Sequence, residues 1–194
     1  MDERDGERSI TERVKPLGLG WPNVVSALRM LVIPVIVVLI LQRTTVAGWA
    51  ALGVFVLGAL SDGLDGYLAR RHEMKTATGA WLDPLSDKLF VAVPAVVLAI
   101  LSEFPWWAAL VIVAREIAVQ ALRWRLDVRA VSMPASTVAK AKTATQLIAV
   151  GMSMSPLPDR LHTLTLAVTV LAVALTVYSG AEYFLTSRHR VEAR

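Results

Sequence analysis

Four aspartates at helical spacing are the residues of this chain best suited to do chemistry. Asp62 and Asp65 lie three residues apart, and Asp83 and Asp87 lie four apart. On helices the two members of each pair share a face, with Cβ atoms about 5–6 Å apart. The surrounding sequence is apolar enough to enter a bilayer, where each carboxylate would cost roughly 2.5–3.5 kcal/mol. The carboxylates therefore need cations or water around them.

The type of ligand indicates which cation would bind. Oxygen ligands without histidine or cysteine favour hard ions, so we predict two Mg²⁺ or Mn²⁺ ions held by the four aspartates. The chain has no cysteine, which excludes thiolate metal sites and disulfides. Two ions that share ligands suit displacement at phosphorus, because one can hold the phosphate while the other activates an oxygen nucleophile.

The residues between the aspartate pairs fit a substrate that carries phosphate. Gly66 and Ala69 are small, so a ligand could approach the backbone closely. Arg70 can bind phosphate oxygens through two N–H groups, and the predicted helix that begins at Gly79 offers N-terminal amides to an anion. Taken alone, Gly66 and Ala69 could instead serve close helix packing in a membrane.

The elements that position these residues are predicted to be membrane helices. The sequence is 55% hydrophobic, with a mean hydropathy of +0.55. We expect an all-α polytopic membrane protein with a polar juxtamembrane segment at 1–21, a membrane domain at 22–186 and a tail at 187–194. Its six transmembrane helices are predicted at residues 23–41, 47–70, 79–102, 105–126, 138–155 and 160–185. The charged opening stretch does not indicate a cleavable signal peptide.

The basic residues predict the orientation in the membrane. Lysine and arginine concentrate on one side of the predicted helices, and only Arg43 and Arg160 lie on the other. Both termini and the 71–78 loop are therefore expected to be cytoplasmic in a multi-pass plasma-membrane protein. Because these charges sit in short loops, the net charge of +4 does not indicate nucleic-acid binding. Arg29, Lys88 and Arg115 fall within helices and need individual partners.

The spacing of the central stretch matches a known signature. The pattern D-x2-D-G-x2-A-R-x8-G-x3-D-x3-D resembles that of the CDP-alcohol phosphotransferase family, and every position is met here. Residues 22–29, 115–123 and 140–146 resemble further segments of the same family, so the likeness covers most of residues 22–150. Ala139 departs from the pattern, since the family usually has glycine before Lys140.

The resemblance implies a dimeric six-helix membrane enzyme with two divalent ions at the cytoplasmic side. Such an enzyme transfers the phosphatidyl group of CDP-diacylglycerol to an alcohol and releases CMP. Asp62, Asp65, Asp83 and Asp87 would bind the ions, and Asp87 would also accept the proton of the alcohol. An aspartate beside two divalent ions stays ionised, so it can take this proton. CDP-diacylglycerol would be bound by Asn23, Ser26, Gly66, Ala69, Arg70, Thr76 and Gly79.

Basic residues outside this stretch point to the acceptor. Arg115, Lys140 and Lys142 are predicted to bind the phosphate of glycerol 3-phosphate, since an intramembrane arginine is functional by default. Alternatively, the two lysines could anchor the chain at the membrane surface, and Arg115 could balance Glu116 or an aspartate. The same chemistry could use phosphatidylglycerol or inositol phosphate. A divalent-cation transporter is disfavoured, because a cation path gains nothing from Arg70 beside its carboxylates.

Overall fold

The chain is built from helices that follow the predicted order. The computed structural model describes residues 21–72, 79–128, 137–157 and 161–192, but not the side chains of 21–26, 62–72, 79–84, 126–128 and 188–192. These ranges contain six helices: α1 Trp21–Leu41, α2 Thr45–His72, α3 Gly79–Ile100, α4 Trp106–Val128, α5 Thr137–Met154 and α6 His162–Glu192. No strand occurs in them. The all-α prediction is confirmed for this part of the chain.

Two short corners make neighbouring helices antiparallel. Between α1 and α2, Arg43 adopts a left-handed backbone conformation with a φ of 51°. The Thr44 hydroxyl then caps α2 by accepting a hydrogen bond from the Ala47 amide at 3.2 Å. Between α3 and α4, Ser102 has a φ of 63°, and the Glu103 amide donates to the Leu98 carbonyl at 2.9 Å. These turns end α1 and α3 and reverse the chain.

The helices pack around one apolar core. Helix α1 packs against α2 and α3, α4 packs against α3 and α6, and α5 packs against α2, α3 and α6. Phe55 of α2 and Phe90 of α3 stack with ring centroids 4.9 Å apart and an interplanar angle of 4°. The core also contains Ile36, Leu98 and Ile112. All six described helices contribute residues to this core, and Phe90, which belongs to it, lies about one turn from Asp87.

The surface of the described helices is strongly apolar. Large exposed side chains include Leu31, Leu57 and Ile100, and such surface suits contact with lipid. Among the described residues, the stretch His162–Ser187 is long and apolar enough to cross a membrane, and Ala27–Leu41 and Thr45–Ser61 are shorter apolar stretches. The number of membrane crossings therefore stays a prediction.

Candidate active site

A cavity of about 690 Å³ lies between the helices and is lined mainly by α3, α4 and α5. The charged side chains that line it are Arg29, Asp87, Lys88, Arg115, Glu116, Arg123, Lys140 and Lys142. Basic groups outnumber acidic ones six to two in this lining, which favours an anionic ligand. The structure thus brings the predicted proton acceptor, Asp87, into the same cavity as all three predicted acceptor ligands.

Asp87 is held at the cavity wall by Arg29. The Arg29 guanidinium donates a charge-assisted hydrogen bond to the Asp87 carboxylate. It also lies over the ring of Phe90, 5.8 Å from the ring centroid. Arg29 is 6% exposed, whereas the Asp87 side chain is 50% exposed. Arg29 therefore orients the carboxylate, which remains accessible from the cavity, and Asp87 is a partner of the kind that the buried Arg29 required.

The remaining predicted metal ligands lie on the two helices that approach each other near Asp87. Helix α2 contains Asp62 and Asp65, and α3 begins at Gly79, as predicted, and contains Asp83. The side chains of these three aspartates lie outside the part described. The same holds for the side chains of Asn23, Ser26, Gly66, Ala69 and Arg70, and for the whole of Thr76. Their proposed contacts with metal and nucleotide stay predictions.

A contact between α2 and α3 indicates that Asp62 and Asp87 lie at neighbouring levels. The helices touch at Gly58 and Phe90, where a Cβ on Gly58 would lie 2.7 Å from the ring. Asp62 follows Gly58 by four residues and Asp87 precedes Phe90 by three, about one turn in each case. Since only residues 73–78 connect the helices, they run antiparallel, and both turns lead toward the connection. A carboxylate donor set at this level fits hard divalent ions.

Within the described side chains, no group of three or more acidic or histidine residues could hold a metal ion. Asp87 is the predicted ligand that this part of the structure includes, and it lines the cavity. Carboxylate oxygens are the ligands that Mg²⁺ and Mn²⁺ prefer, and the binding of either ion by the four aspartates stays a prediction.

A second charged cluster joins α4, α5 and α6. One oxygen of the Glu116 carboxylate accepts hydrogen bonds from Lys142 and from Arg115, the latter at 3.1 Å. Arg115 also donates to the Ser179 hydroxyl at 3.1 Å, while its buried Nε has no hydrogen-bond partner among the described residues. Two cations thus share one carboxylate, and an N–H donor remains unused. The cluster keeps a net positive charge that an anion could neutralise.

These contacts decide between the alternatives left open for the basic residues. Arg115 does balance Glu116, so that interpretation is correct as far as the contact goes. Lys142 is only 5% exposed and paired, unlike a lysine that anchors a chain at the surface. Lys140 is exposed at the edge of the cavity. An anchoring role therefore remains compatible with Lys140 but not with Lys142.

The sequence alone did not identify the partners of two basic residues of the cavity. Lys88 donates a hydrogen bond to Gln120, and the Arg123 guanidinium lies 5.5 Å from the ring centroid of Tyr183. Helical spacing links two glutamines to charged residues of the cavity. Gln120 follows Glu116 by four residues, and Gln146 follows Lys142 by four, so each shares a face with a charged residue of the cavity.

Comparison with known proteins assigns the class of the chain. The CDP-alcohol phosphatidyltransferase family matches residues 19–178. The chain belongs to this family, which confirms the resemblance and makes it a transferase of phospholipid biosynthesis associated with membranes. This result also sets aside the transporter hypothesis.

Individual members of the family are similar to the chain over most of its length. The chain is 38% identical over 170 residues to the CDP-diacylglycerol–glycerol-3-phosphate 3-phosphatidyltransferase of Pseudomonas fluorescens, covering 84% of this chain and 87% of the relative. The Bacillus subtilis protein of the same name is 34% identical, with 84% and 92% covered. A probable phosphatidylglycerophosphate synthase of Mycobacterium tuberculosis is 34% identical, with 83% and 78% covered.

Proposed function

We propose that the chain transfers the phosphatidyl group of CDP-diacylglycerol to glycerol 3-phosphate, giving phosphatidylglycerophosphate and CMP. The observation that carries this proposal is the common cavity of Asp87, Arg115 and Lys142. An acceptor with a hydroxyl and a phosphate needs a proton acceptor and a cationic cluster within reach of one small molecule. The names of the relatives from Pseudomonas fluorescens and Bacillus subtilis support the same acceptor.

The phosphate of glycerol 3-phosphate would bind at the Arg115 and Lys142 cluster. The cluster carries one more positive than negative charge, and Arg115 has an unused Nε donor. Burial strengthens a charge-assisted hydrogen bond, and guanidinium N–H groups match phosphate oxygens in geometry. Lys140 and Arg123 also line the cavity and would add to the positive field that draws the acceptor in.

The hydroxyl of the acceptor would react beside Asp87. Its oxygen attacks the phosphorus that bears the diacylglycerol, the bond from that phosphorus to the CMP oxygen breaks, and the hydroxyl proton passes to Asp87. Arg29 keeps the carboxylate in place through its hydrogen bond. Two divalent ions, held by Asp62, Asp65, Asp83 and Asp87, would supply charge stabilisation for the diphosphate.

The donor would occupy the region around the ends of α1, α2 and α3. We assign its cytidine diphosphate part to Asn23, Ser26, Gly66, Ala69, Arg70, Thr76 and Gly79. Its acyl chains would remain in the bilayer, beside the exposed apolar surface of the helices. The proposal includes a homodimer in the plasma membrane with the site facing the cytoplasm, where glycerol 3-phosphate and CMP are soluble.

Other acceptors differ from glycerol 3-phosphate in the phosphate group that they would present to the cavity. Phosphatidylglycerol carries a phosphodiester with one negative charge instead of a phosphomonoester, so it matches the positive charge and the unused donor of the Arg115 cluster less well. Inositol phosphate would use the same cluster, and the acceptor must therefore be identified by assay. Glycerol 3-phosphate is the acceptor that satisfies both the cluster and the comparisons.

A matched pair of variants tests the role of the cluster. Arg115→Gln removes a cation that lines the cavity, whereas Arg125→Gln removes an exposed cation of the same helix that does not line it. Hydrogen bonds to charged groups contribute about 1.5–3 kcal/mol, so KM for glycerol 3-phosphate should rise about ten-fold or more in the first variant. The second should keep the wild-type KM. Equal values in both variants would contradict the assignment.

A further inference from the structure

Gln146 is a buried polar residue of the cavity that the reaction described above does not use. It is 2% exposed, lies on α5 one turn after Lys142, and lines the cavity. Its amide nitrogen Nε2 donates to the Thr176 hydroxyl of α6 at 2.8 Å. A polar side chain of this burial is normally satisfied by hydrogen bonds on both ends of its amide.

The hydroxyl of Thr176 fixes which end of the amide faces α6. This hydroxyl donates its single hydrogen to the Ala172 carbonyl at 2.6 Å. It can therefore only accept from Gln146, so the amide nitrogen faces Thr176 and the amide oxygen must point elsewhere. The orientation of the amide follows from the hydrogen-bond network and not from the similar shapes of its two ends.

Within the part of the chain that the structure describes, the Gln146 amide bonds to Thr176 through its nitrogen. Among the described residues, no N–H or O–H group donates a hydrogen bond to Oε1. Oε1 is not one of the buried atoms that lack a partner, and Gln146 lines the cavity, so a ligand that brings an O–H group into the cavity can donate to this oxygen. Helix α6 positions two side chains of the cavity, since Thr176 accepts a hydrogen bond from Gln146 and Ser179 accepts one from Arg115.

We propose that Gln146 determines specificity for the acceptor alcohol by accepting a hydrogen bond from the middle hydroxyl of glycerol 3-phosphate. The inference rests on the proposed function. The acceptor has one phosphate, one reacting terminal hydroxyl and one middle hydroxyl that no other residue yet accounts for. Lys142 and Gln146 are separated by about 6 Å of helix rise, a distance that this short acceptor can span. Thr176 acts as a positioning residue for the amide.

A substrate analogue isolates this hydrogen bond. 3-Hydroxypropyl phosphate keeps the phosphate and the terminal hydroxyl but lacks the middle hydroxyl. Wild-type protein should use glycerol 3-phosphate with a kcat/KM about ten-fold higher than that for the analogue. In Gln146→Met, which keeps the length of the side chain, the ratio of the two kcat/KM values should fall to about one. The fall should come from the natural acceptor, because the analogue never made the contact.

Variants of α6 distinguish orientation from general packing. Thr176→Val removes the acceptor that orients the amide and should lower the ratio, whereas Thr176→Ser keeps the hydroxyl and should preserve it. Thr169→Val is the matched control. Thr169 is equally buried, and its hydroxyl donates to the Thr165 carbonyl at 2.8 Å, whereas the Thr176 hydroxyl is the one that accepts from Gln146. The control should leave the ratio unchanged even if it lowers stability.

The outcomes separate this inference from the function on which it rests. Equal use of the two acceptors by wild-type protein, or an unchanged ratio in Gln146→Met, would overturn the role of Gln146 alone. If Gln146→Met does not fold, the wild-type ratio and the Thr176→Val and Thr176→Ser pair decide the question. Absence of CMP release with glycerol 3-phosphate from wild-type protein would overturn the proposed function, and the inference with it.

Discussion

A single methyl group added at Gly58 should displace Phe90 and, through it, the Arg29 and Asp87 side chains of the site. A Cβ at this position would lie 2.7 and 2.8 Å from two carbons of the Phe90 ring. Ordinary contact begins near 3.4 Å, so the ring must move by about 0.7 Å. Phe90 is 3% exposed, stacks on Phe55, and lies beneath the Arg29 guanidinium. It therefore has little room to retreat without shifting one of these neighbours.

The cost follows from two opposing effects. Overpacking of a core costs about 1–3 kcal/mol, and replacing glycine by alanine inside a helix gains about 0.5–1 kcal/mol. We expect Gly58→Ala to lose about 1–2 kcal/mol of stability on balance. Phe90 lies one turn from Asp87, and a misplacement of about 1 Å at a reacting group can cost about 100-fold in rate. CMP release should therefore fall at least ten-fold.

Gly53→Ala is the control for this variant. Gly53 lies on the same helix, and a Cβ there meets no atom within 4 Å. The fluorescence of the six tryptophans reports thermal unfolding in detergent, and CMP release reports activity. Gly53→Ala should match or exceed the wild-type melting temperature with normal activity. If Gly58→Ala behaves like Gly53→Ala in both assays, the packing argument is wrong.

Three further predictions concern charge and backbone. Glu116→Gln leaves the buried Lys142 without its counter-charge and should cost about 3 kcal/mol or more of stability. Inorganic phosphate should therefore raise the melting temperature of this variant more than that of the wild type. An equal rise in both proteins would contradict the counter-charge role of Glu116. Asp87→Asn should lower turnover at least about 100-fold yet keep CDP-diacylglycerol binding in a filter assay; near-normal turnover excludes Asp87 as proton acceptor. Arg43→Gly relieves a φ of 51° and loses only an exposed ion pair with Glu103, so a lower melting temperature would be unexpected.

The order of the six helices in the described part of the chain could be predicted because apolar segments alternate with short polar connections in the sequence. The start of α3 at Gly79 was predicted correctly, and the other helix bounds differ by a few residues. The largest difference is at α6, which continues to Glu192 although the predicted membrane segment ends at 185. A helix can propagate through polar residues, since each added residue gains a backbone hydrogen bond, and hydropathy does not register that extension.

The site divides into residues found by local spacing and residues found only by packing. Spacing along one helix identified Asp87, and the charged residues of α4 and α5 followed from their position within apolar segments. The pairs Arg29–Asp87 and Gln146–Thr176 join residues 58 and 30 positions apart. Nothing in a single sequence states which helices touch, so these pairs and the Gly58–Phe90 contact required the packed structure.

The most direct test of the account is CMP release from CDP-diacylglycerol with each acceptor offered separately. Purified protein would be assayed in detergent micelles with Mg²⁺ or Mn²⁺ and with glycerol 3-phosphate, phosphatidylglycerol or inositol phosphate. We expect CMP, and a phosphatidylglycerophosphate product, with glycerol 3-phosphate alone. Release of CMP with a different acceptor and not with glycerol 3-phosphate would contradict it, as would no release with any of the three.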